Sequence, residues 1–454
     1  MDKSSPPRWR PRKARRHRRT RKAPCRKPGT RRALFYSQAR ILDGFCFQDP
    51  YRRAPPAGSD NIRAVFRRRA SPLVFIFVAV FVNFMGYGMV VPLMPLYVQQ
   101  QSGGAAVVGA LGATYAVMEL VASPVIGALS DRLGRRPVLI ACVTGTLIAY
   151  IMLGLAQSLT VIFLAVALDG ITGGTLATAY AYVADVTTPE NRARGMGMVG
   201  AAFGLGVIAG PAFGGLLSQY GLALPALIAA SVAGANILFG LLVLPESLPR
   251  ERRAATPALQ TFNWAGQVTN LLRILPIRSL LVGMFLLNLA FAGLQNNFPL
   301  YSQVRFGWTP TENGGFFAFV GICAVLIQGL LYGRIQPRFG ERNLARAGLL
   351  FMAIGLAGMA LAPEPWMLFP SVAVVALGTG TAIPSLTGLV SQRLPSGAQG
   401  RLMGGTQAIL GLAMIGGPLF SGLAFEQIAP AAPYALGAVL ALVALTVVNR
   451  DAQD

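Results

Sequence analysis

The chain has 454 residues, 54% of them hydrophobic and 13% charged, with a mean hydropathy of +0.53. That balance excludes an ordinary soluble globule and fits a polytopic membrane protein. The formal net charge of +23 suggests a nucleic-acid binder until it is located: the first 69 residues hold 22 of the 40 Lys+Arg and 4 of the 17 acids, so +18 of it belongs to an N-terminal tail and +5 to the body.

The tail comes first in the chain. Residues 1–69 are rich in arginine and proline, lack the apolar content of a core, and are expected to be disordered. Three readings stay open for them: a tether for a membrane surface or nucleic acid, an organelle-targeting peptide, or a translation start placed too early. The last is favoured, although the next methionine after Met1 is Met85, already inside the first apolar run.

From Ser71 apolar runs of about 20 to 27 residues alternate with short polar breaks, and about 20 residues of helix cross the hydrocarbon core. Twelve spans are expected: 71–98, 105–129, 137–156, 159–185, 195–219 and 222–245, then 278–301, 313–333, 343–361, 367–391, 401–424 and 429–449. The fold class is an all-α integral membrane protein. Its parts are the tail 1–69, a first six-helix bundle 70–247, a linker 248–277 and a second six-helix bundle 278–450. Within the linker, Leu259 to Leu275 reads either as a helix lying on the membrane surface or as a solvated loop.

One set of loops contains 16 arginines: Arg132, Arg135, Arg136, Arg192, Arg194, Arg250, Arg252, Arg253, Arg273, Arg278, Arg334, Arg338, Arg342, Arg346, Arg393 and Arg401. The other set contains only Arg305. Cytoplasmic loops carry the Lys/Arg excess, so both termini are expected in the cytoplasm and the protein in the plasma (inner) membrane. Cys25, Cys46, Cys142 and Cys323 are scattered singly and the one histidine, His17, lies in the tail, so neither a disulfide framework nor a metal site is expected.

An internal repeat organises the body. "GALSDRLGRR" from Gly127 returns as "GRIQPRFGER" from Gly333, with Gly127/Gly333, Arg132/Arg338, Gly134/Gly340 and Arg136/Arg342 all separated by 206 residues, as are Pro189 and Pro395. "PLY" at Pro95 and Pro299 and "GP" at Gly210 and Gly417 fall within two residues of that offset. Duplicated six-helix units occur in transporters with a substrate site near the midplane, between the halves.

Three features carry chemistry. The short turn between the second and third spans gives Asp131 access to a neighbouring helix N-terminus, where backbone N–H groups favour an anion. Asp185, at the end of the fourth span, is the expected partner of the turn's arginines; the alternative is that these arginines only fix topology. In the fifth span Gly206, Gly210, Gly214 and Gly215 permit close backbone approach and Pro211 offers a bend. Finally, Glu119 and Asp169 each lie about ten residues, roughly 15 Å, inside a span. Acids are costly at that depth and mark functional positions. No arginine or lysine lies within the spans at similar depth, so desolvation favours the protonated form, as a proton carrier requires. For Asp169 the competing expectation is a structural carboxyl hydrogen-bonded to Thr172 or a backbone carbonyl.

With these residues the chain resembles the major facilitator superfamily, and within it the twelve-helix drug:proton antiporters related to tetracycline exporters. Gly127, Asp131, Arg132, Gly134, Arg135 and Arg136 match the loop signature G-x-x-x-D-R-x-G-R-R, and Gly206, Gly210, Pro211, Gly214 and Gly215 match the antiporter signature G-x-x-x-G-P-x-x-G-G. The resemblance implies two pseudo-symmetric six-helix bundles, a loop that clamps them shut on the cytoplasmic side, and export rather than import. Gly333, Arg338, Gly340 and Arg342 form a second copy of the clamp, with Pro337 in place of the aspartate, so the stronger half is expected at Asp131. Val166 stands where the family's fourth helix has an arginine, and Asn83 where tetracycline exporters have an aspartate; their eighth-helix histidine has no counterpart. By the same analogy the cavity candidates are Asn83, Tyr87, Tyr115, Tyr180, Asn288, Gln295 and Thr379. Acids, amides and tyrosines without a basic residue suit a neutral or cationic amphipathic molecule.

The function expected is secondary active export of such a molecule in exchange for protons; a metabolite facilitator or importer, or a non-transporting receptor, are the alternatives. No phosphate-binding loop or nucleophile–base set suggests an enzyme, and no cofactor is expected. The expected partners are the small molecule, protons and the lipid bilayer, with no nucleic acid, and the protein is expected to be a monomer.

Overall fold

The computed structural model describes residues 72–253, 275–393 and 399–450. The tail 1–69 lies outside them, as does the surface helix expected from Leu259 to Leu275, apart from its last residue. Among the described residues the regular elements are all helical. In lipid a helix satisfies every backbone donor and acceptor within one segment. The helices are α1 (Leu73–Gln100), α2 (Ala105–Leu133), α3 (Arg135–Gly154), α4 (Leu159–Val186), α5 (Pro189–Leu217), α6 (Ala223–Leu242) and α7 (Leu275–Phe306). Next, 52 helical residues run from Pro310 to Leu361, more than twice the ~20 needed for one crossing. They break at Gly340, whose φ of 74° and ψ of 156° are not helical, into α8 (310–339) and α9 (341–361). With α10 (Leu368–Gln392), α11 (Gln399–Gln427) and α12 (Ala432–Arg450) the described residues hold twelve long helices.

The second and eighth helices outrun their apolar sequence. Their apolar content predicts ends at 129 and 333, but they continue through the charged motif, so the turn into the next helix is a single glycine in each copy. Gly134 has φ 107° and ψ 160°, close to the values at Gly340. That region of backbone space is open essentially to glycine alone. The sequence repeat is thus also a repeat of backbone geometry.

Arginines cluster at the α2–α3 and α8–α9 junctions and after α6 and define an arginine-rich face; the opposite ends form the far face. The two halves are filled differently. In the second, a continuous apolar core runs from Ile277 and Val390 near the arginine-rich face through Met352 and Leu356 to Tyr301 and Leu368. In the first, the core is divided. One cluster, with Tyr97, Leu111, Leu153 and Ala226, lies toward the far face, and another, with Ile76, Leu139, Tyr182 and Val199, toward the arginine-rich face.

Between the halves α2 packs on α11 and α5 on α8. The fit is graded with depth. Toward the far face a Cβ added to Gly109 would stand 2.3 Å from the Pro418 carbonyl oxygen, and one on Gly215 2.7 Å from that of Pro310. At mid-depth Gly411 meets Leu120 and Gly321 meets Ile208. Eighteen residues, five turns, along the same faces of α2 and α5, Gly127 and Gly197 have nothing within 4 Å. The halves are therefore sealed at the far face and parted toward the arginine-rich face.

Candidate functional site

At the arginine-rich face the motif residues divide between the last turn of α2 and the first of α3. Arg135, nearly buried, reaches Asp131 one turn back (2.6 Å) and Asp185 at the end of α4 (2.9 Å), and donates to the Ser130 hydroxyl (3.1 Å). Ser247 also donates to Asp185 (3.1 Å). The expected contact between Asp185 and this loop is present, through Arg135. The expected place of Asp131 needs correction for the α3 N-terminus: that position is held by Glu246, whose carboxylate accepts the backbone N–H groups of Arg135 (2.8 Å) and Arg136 (3.3 Å). Asp131 sits in the last turn of α2, half exposed, where the favourable neighbour is a cation. Gly134 makes room for this arrangement, since a Cβ there would lie 2.5 Å from Glu246 Oε2. Arg136 closes the same corner by donating to the carbonyls of Gly240 and Leu241 at the end of α6. Arg132 is exposed.

The second copy is built from other chemistry. Glu341 occupies the place of Arg135, accepts a hydrogen bond from Gln392 on α10 (2.9 Å) and lies against Gly388. Gly333 and Gly340 have open space where a Cβ would be, and Arg338 is exposed. Arg342 opens α9 as Arg136 opens α3.

At mid-depth in the first half, a polar cluster interrupts the core. α4 is broken at Thr172–Gly174, beginning three residues after Asp169. Gly170 lets the broken segment lie against α2, a Cβ there standing 2.7 Å from the Tyr115 carbonyl oxygen, and Gly173 faces the Tyr115 hydroxyl and the Glu119 stem. Asp169 accepts a hydrogen bond from the Thr146 hydroxyl on α3 (2.8 Å). Thr172, the partner anticipated from sequence, donates instead to carbonyls of its own helix. Glu119 and Asp169 are close enough for their charges to interact, and both lie within electrostatic range of the phenols of Tyr87 and Tyr115. Tyr150 lies within the same range of Asp169. The rings of Tyr87 and Tyr115 lie 6.1 Å apart, and Phe84 bridges from Tyr87 to Phe203 of α5. Thr146 and Tyr150 carry no signal in the sequence; each lies within an ordinary apolar run, and its partner is a residue of another helix. The "TGG" that breaks α4 was a visible signal.

The other cavity candidates separate. Asn83 keeps its side-chain oxygen buried without a hydrogen-bond donor. Tyr180 packs with the apolar cluster of Tyr182 and Val183. Asn288 donates to its own helix at Met284, and Thr379 likewise at Val375, as hydroxyls and amides in membrane helices commonly do. Gln295 is exposed. The structure therefore brings Tyr87 and Tyr115 to the acids and leaves Tyr180, Asn288, Gln295 and Thr379 apart from them.

The fifth-span glycines have two neighbours. Added Cβ atoms on Gly206, Gly210 and Gly214 would stand 2.8, 2.6 and 2.3 Å from backbone atoms of α1, while Gly215 faces α8 of the other half. Pro211 packs on Gly88 beside them. The stripe brings α5 into backbone contact with α1, and its last residue joins the seal between the halves.

The model for the Major Facilitator Superfamily matches residues 76–338 and 322–452. Over 390 residues the chain is 34% identical to the tetracycline resistance protein, class C, of Escherichia coli, covering 84% of this chain and 97% of that one. It is 34% identical to the class E tetracycline resistance protein of the same organism over 75% of this chain and 85% of that one. Among solved structures, the nucleoside transporter NupG superposes with a TM-score of 0.69 at 16% identity, over 85% of this chain and 100% of that one. The chain belongs to the major facilitator superfamily.

Proposed function

We propose that this protein exports a small neutral or cationic amphipathic molecule in exchange for protons, by alternating access, from the plasma (inner) membrane with both termini in the cytoplasm. The observation that carries this reading is the mid-depth cluster of Glu119, Asp169, Tyr87, Tyr115, Tyr150 and Thr146, two carboxyls held together in an otherwise apolar bundle. Acids are costly at this depth, so a pair of carboxyls there is a place where protons can be taken up and released during the cycle. Tyrosine faces beside them offer an apolar surface and a cation-attracting ring for an amphipathic ligand. Binding a cationic substrate there favours loss of the proton, and proton return favours release of the substrate, which is the exchange an antiporter needs. Similarity to tetracycline resistance proteins supports export.

In this reading the arginine-rich face is cytoplasmic, so the described conformation receives substrate from the cytoplasm. Arg135 with Asp131 and Asp185, braced by Glu246, is the cytoplasmic gate element; Glu341 with Gln392 is its weaker counterpart. Gly206, Gly210, Gly214 and Gly215 keep α5 close enough to α1 and α8 for the halves to rock as units. The test is proton flux in proteoliposomes under an imposed pH gradient, triggered by lipophilic cations, neutral amphipathic compounds and tetracycline in turn. Substrate-triggered flux lost in Glu119→Gln or Asp169→Asn supports antiport; substrate movement indifferent to pH in the parent protein overturns it and leaves a facilitator.

A further inference from the structure

The seal at the far face contains a carboxylate that reaches from one half of the molecule to the other. Glu426, in the last turn of α11, accepts the backbone N–H of Ala106 in the first turn of α2 (2.8 Å). The contact has a seat that a side chain at position 104 would fill. Gly104, the residue that opens α2, has no Cβ where one would stand 2.7 Å from Glu426 Oε2 and 3.1 Å from Oε1. Around it the two helices touch backbone to backbone. Cβ atoms added to Gly109 and Gly422 would lie 2.3 Å from the Pro418 oxygen and 2.5 Å from the Ala105 oxygen. The first turn of a helix presents unsatisfied N–H groups and the positive end of its dipole, so the attraction depends on the charge of the acid and not on its shape alone.

Two other charged groups on this face are spent inside their own half. Arg305 donates to the Ala362 carbonyl, and Glu312 completes the capping box of α8 with Thr309. Glu426 instead crosses. The same device, a carboxylate on a helix N-terminus, appears at the other face as Glu246 on α3, but there donor and acceptor lie within one bundle and can move together. The Glu426 contact must break whenever the far face opens.

The geometry points to Glu426 as a latch for the far face: its carboxylate, seated on the N-terminus of α2, holds the two halves closed there and is a positioning residue for the transport cycle. The inference rests on the two-faced cycle proposed above, and its test uses neither substrate nor pH gradient, so the two fail separately. Spin labels are placed at Tyr220→Cys and Trp366→Cys, which are 81% and 65% exposed at far-face turns of opposite halves, in a chain whose native cysteines are replaced by alanine. Their separation is measured by double electron–electron resonance in lipid nanodiscs. Glu426→Gln keeps the shape and loses the charge; it should raise the population of the longer, open separation about two- to five-fold. Glu364→Gln, the same change of charge on the same face, should leave the distribution unaltered. A Glu426→Gln distribution that superposes on the parent's, or an equal shift in Glu364→Gln, overturns the latch. Should Glu426→Gln fail to yield folded protein, Gly104→Ala is measured instead. It keeps the charge and removes its seat, and it should produce the same shift; an unchanged distribution there is equally fatal.

Discussion

In the first half Glu119, Thr146, Tyr150 and Asp169 gather at mid-depth, whereas the positions 206 residues further on in the second half hold Val325, Met352, Leu356 and Val375. The last three are buried in the continuous core of that half, with at most 1% of their surface exposed. The duplicated scaffold therefore carries its costly groups in one copy, and the corresponding positions of the other copy are apolar. The division repeats at the arginine-rich face, where Arg135 binds two aspartates in the first copy while Glu341 accepts one amide hydrogen bond in the second. A charged pair whose partners sit on separate helices responds to their separation more steeply than a neutral hydrogen bond does. In the exchange proposed above, this makes the first copy the side where conformation and charge are coupled.

The largest effect that tests this asymmetry is on transport. Glu119→Gln and Asp169→Asn should each reduce substrate-triggered proton flux to the level of empty liposomes, while Val325→Ala and Val375→Ala in the second half should leave it within about two-fold of the parent. Equal losses in both halves would break the comparison. Next in size is the pair of turn glycines. Both need a backbone region that costs about 1–3 kcal/mol for other residues. Gly134→Ala adds a clash with Glu246, and Gly340→Ala adds none because its Cβ meets open space. Thermal unfolding in detergent should therefore fall further for Gly134→Ala than for Gly340→Ala. Smaller again is the difference between the gate elements. Arg135→Ala leaves Asp185 without its cation at a largely buried contact and should cost about 1–3 kcal/mol, whereas Glu341→Gln retains a hydrogen bond to Gln392 and should cost less than about 0.5 kcal/mol.

Much of this was legible in sequence because charge stands out against apolar runs. The twelve crossings, the repeat at Gly127 and Gly333, and the two mid-depth acids all follow from that contrast. Contacts between helices were not legible. Glu246 lies 111 residues from the helix end it caps, and Glu426 lies 320 residues from Ala106, so no local pattern links them. Apolar content places helix ends short because it stops before the helix does: charged residues in the last turns of α2 and α8 reach the aqueous boundary while the backbone stays helical. Thr379 and Asn288 looked like cavity groups because polar residues in a span are conspicuous, yet their own helices already satisfy them. Thr146 carries no such signal in its apolar run, yet it donates to Asp169 on another helix. Only its neighbour across the bundle separates the two cases.

That last distinction can be measured, with the smallest effect expected here. Thr146→Val removes the hydroxyl that donates to Asp169 and preserves the branched shape, so packing changes little while one hydrogen bond, about 0.5–1.5 kcal/mol, is lost. If that bond holds Asp169 in the orientation used for proton exchange, the substrate-triggered flux should fall by roughly two- to ten-fold with the unfolding temperature nearly unchanged. Thr379→Val removes a hydroxyl in the second half that bonds only to carbonyls of its own helix, which retain their backbone partners. Its flux should match the parent's. A matching loss in both variants would mean that polar groups in either half tune transport through helix packing, and the division of labour between the copies would then rest on the carboxyls alone.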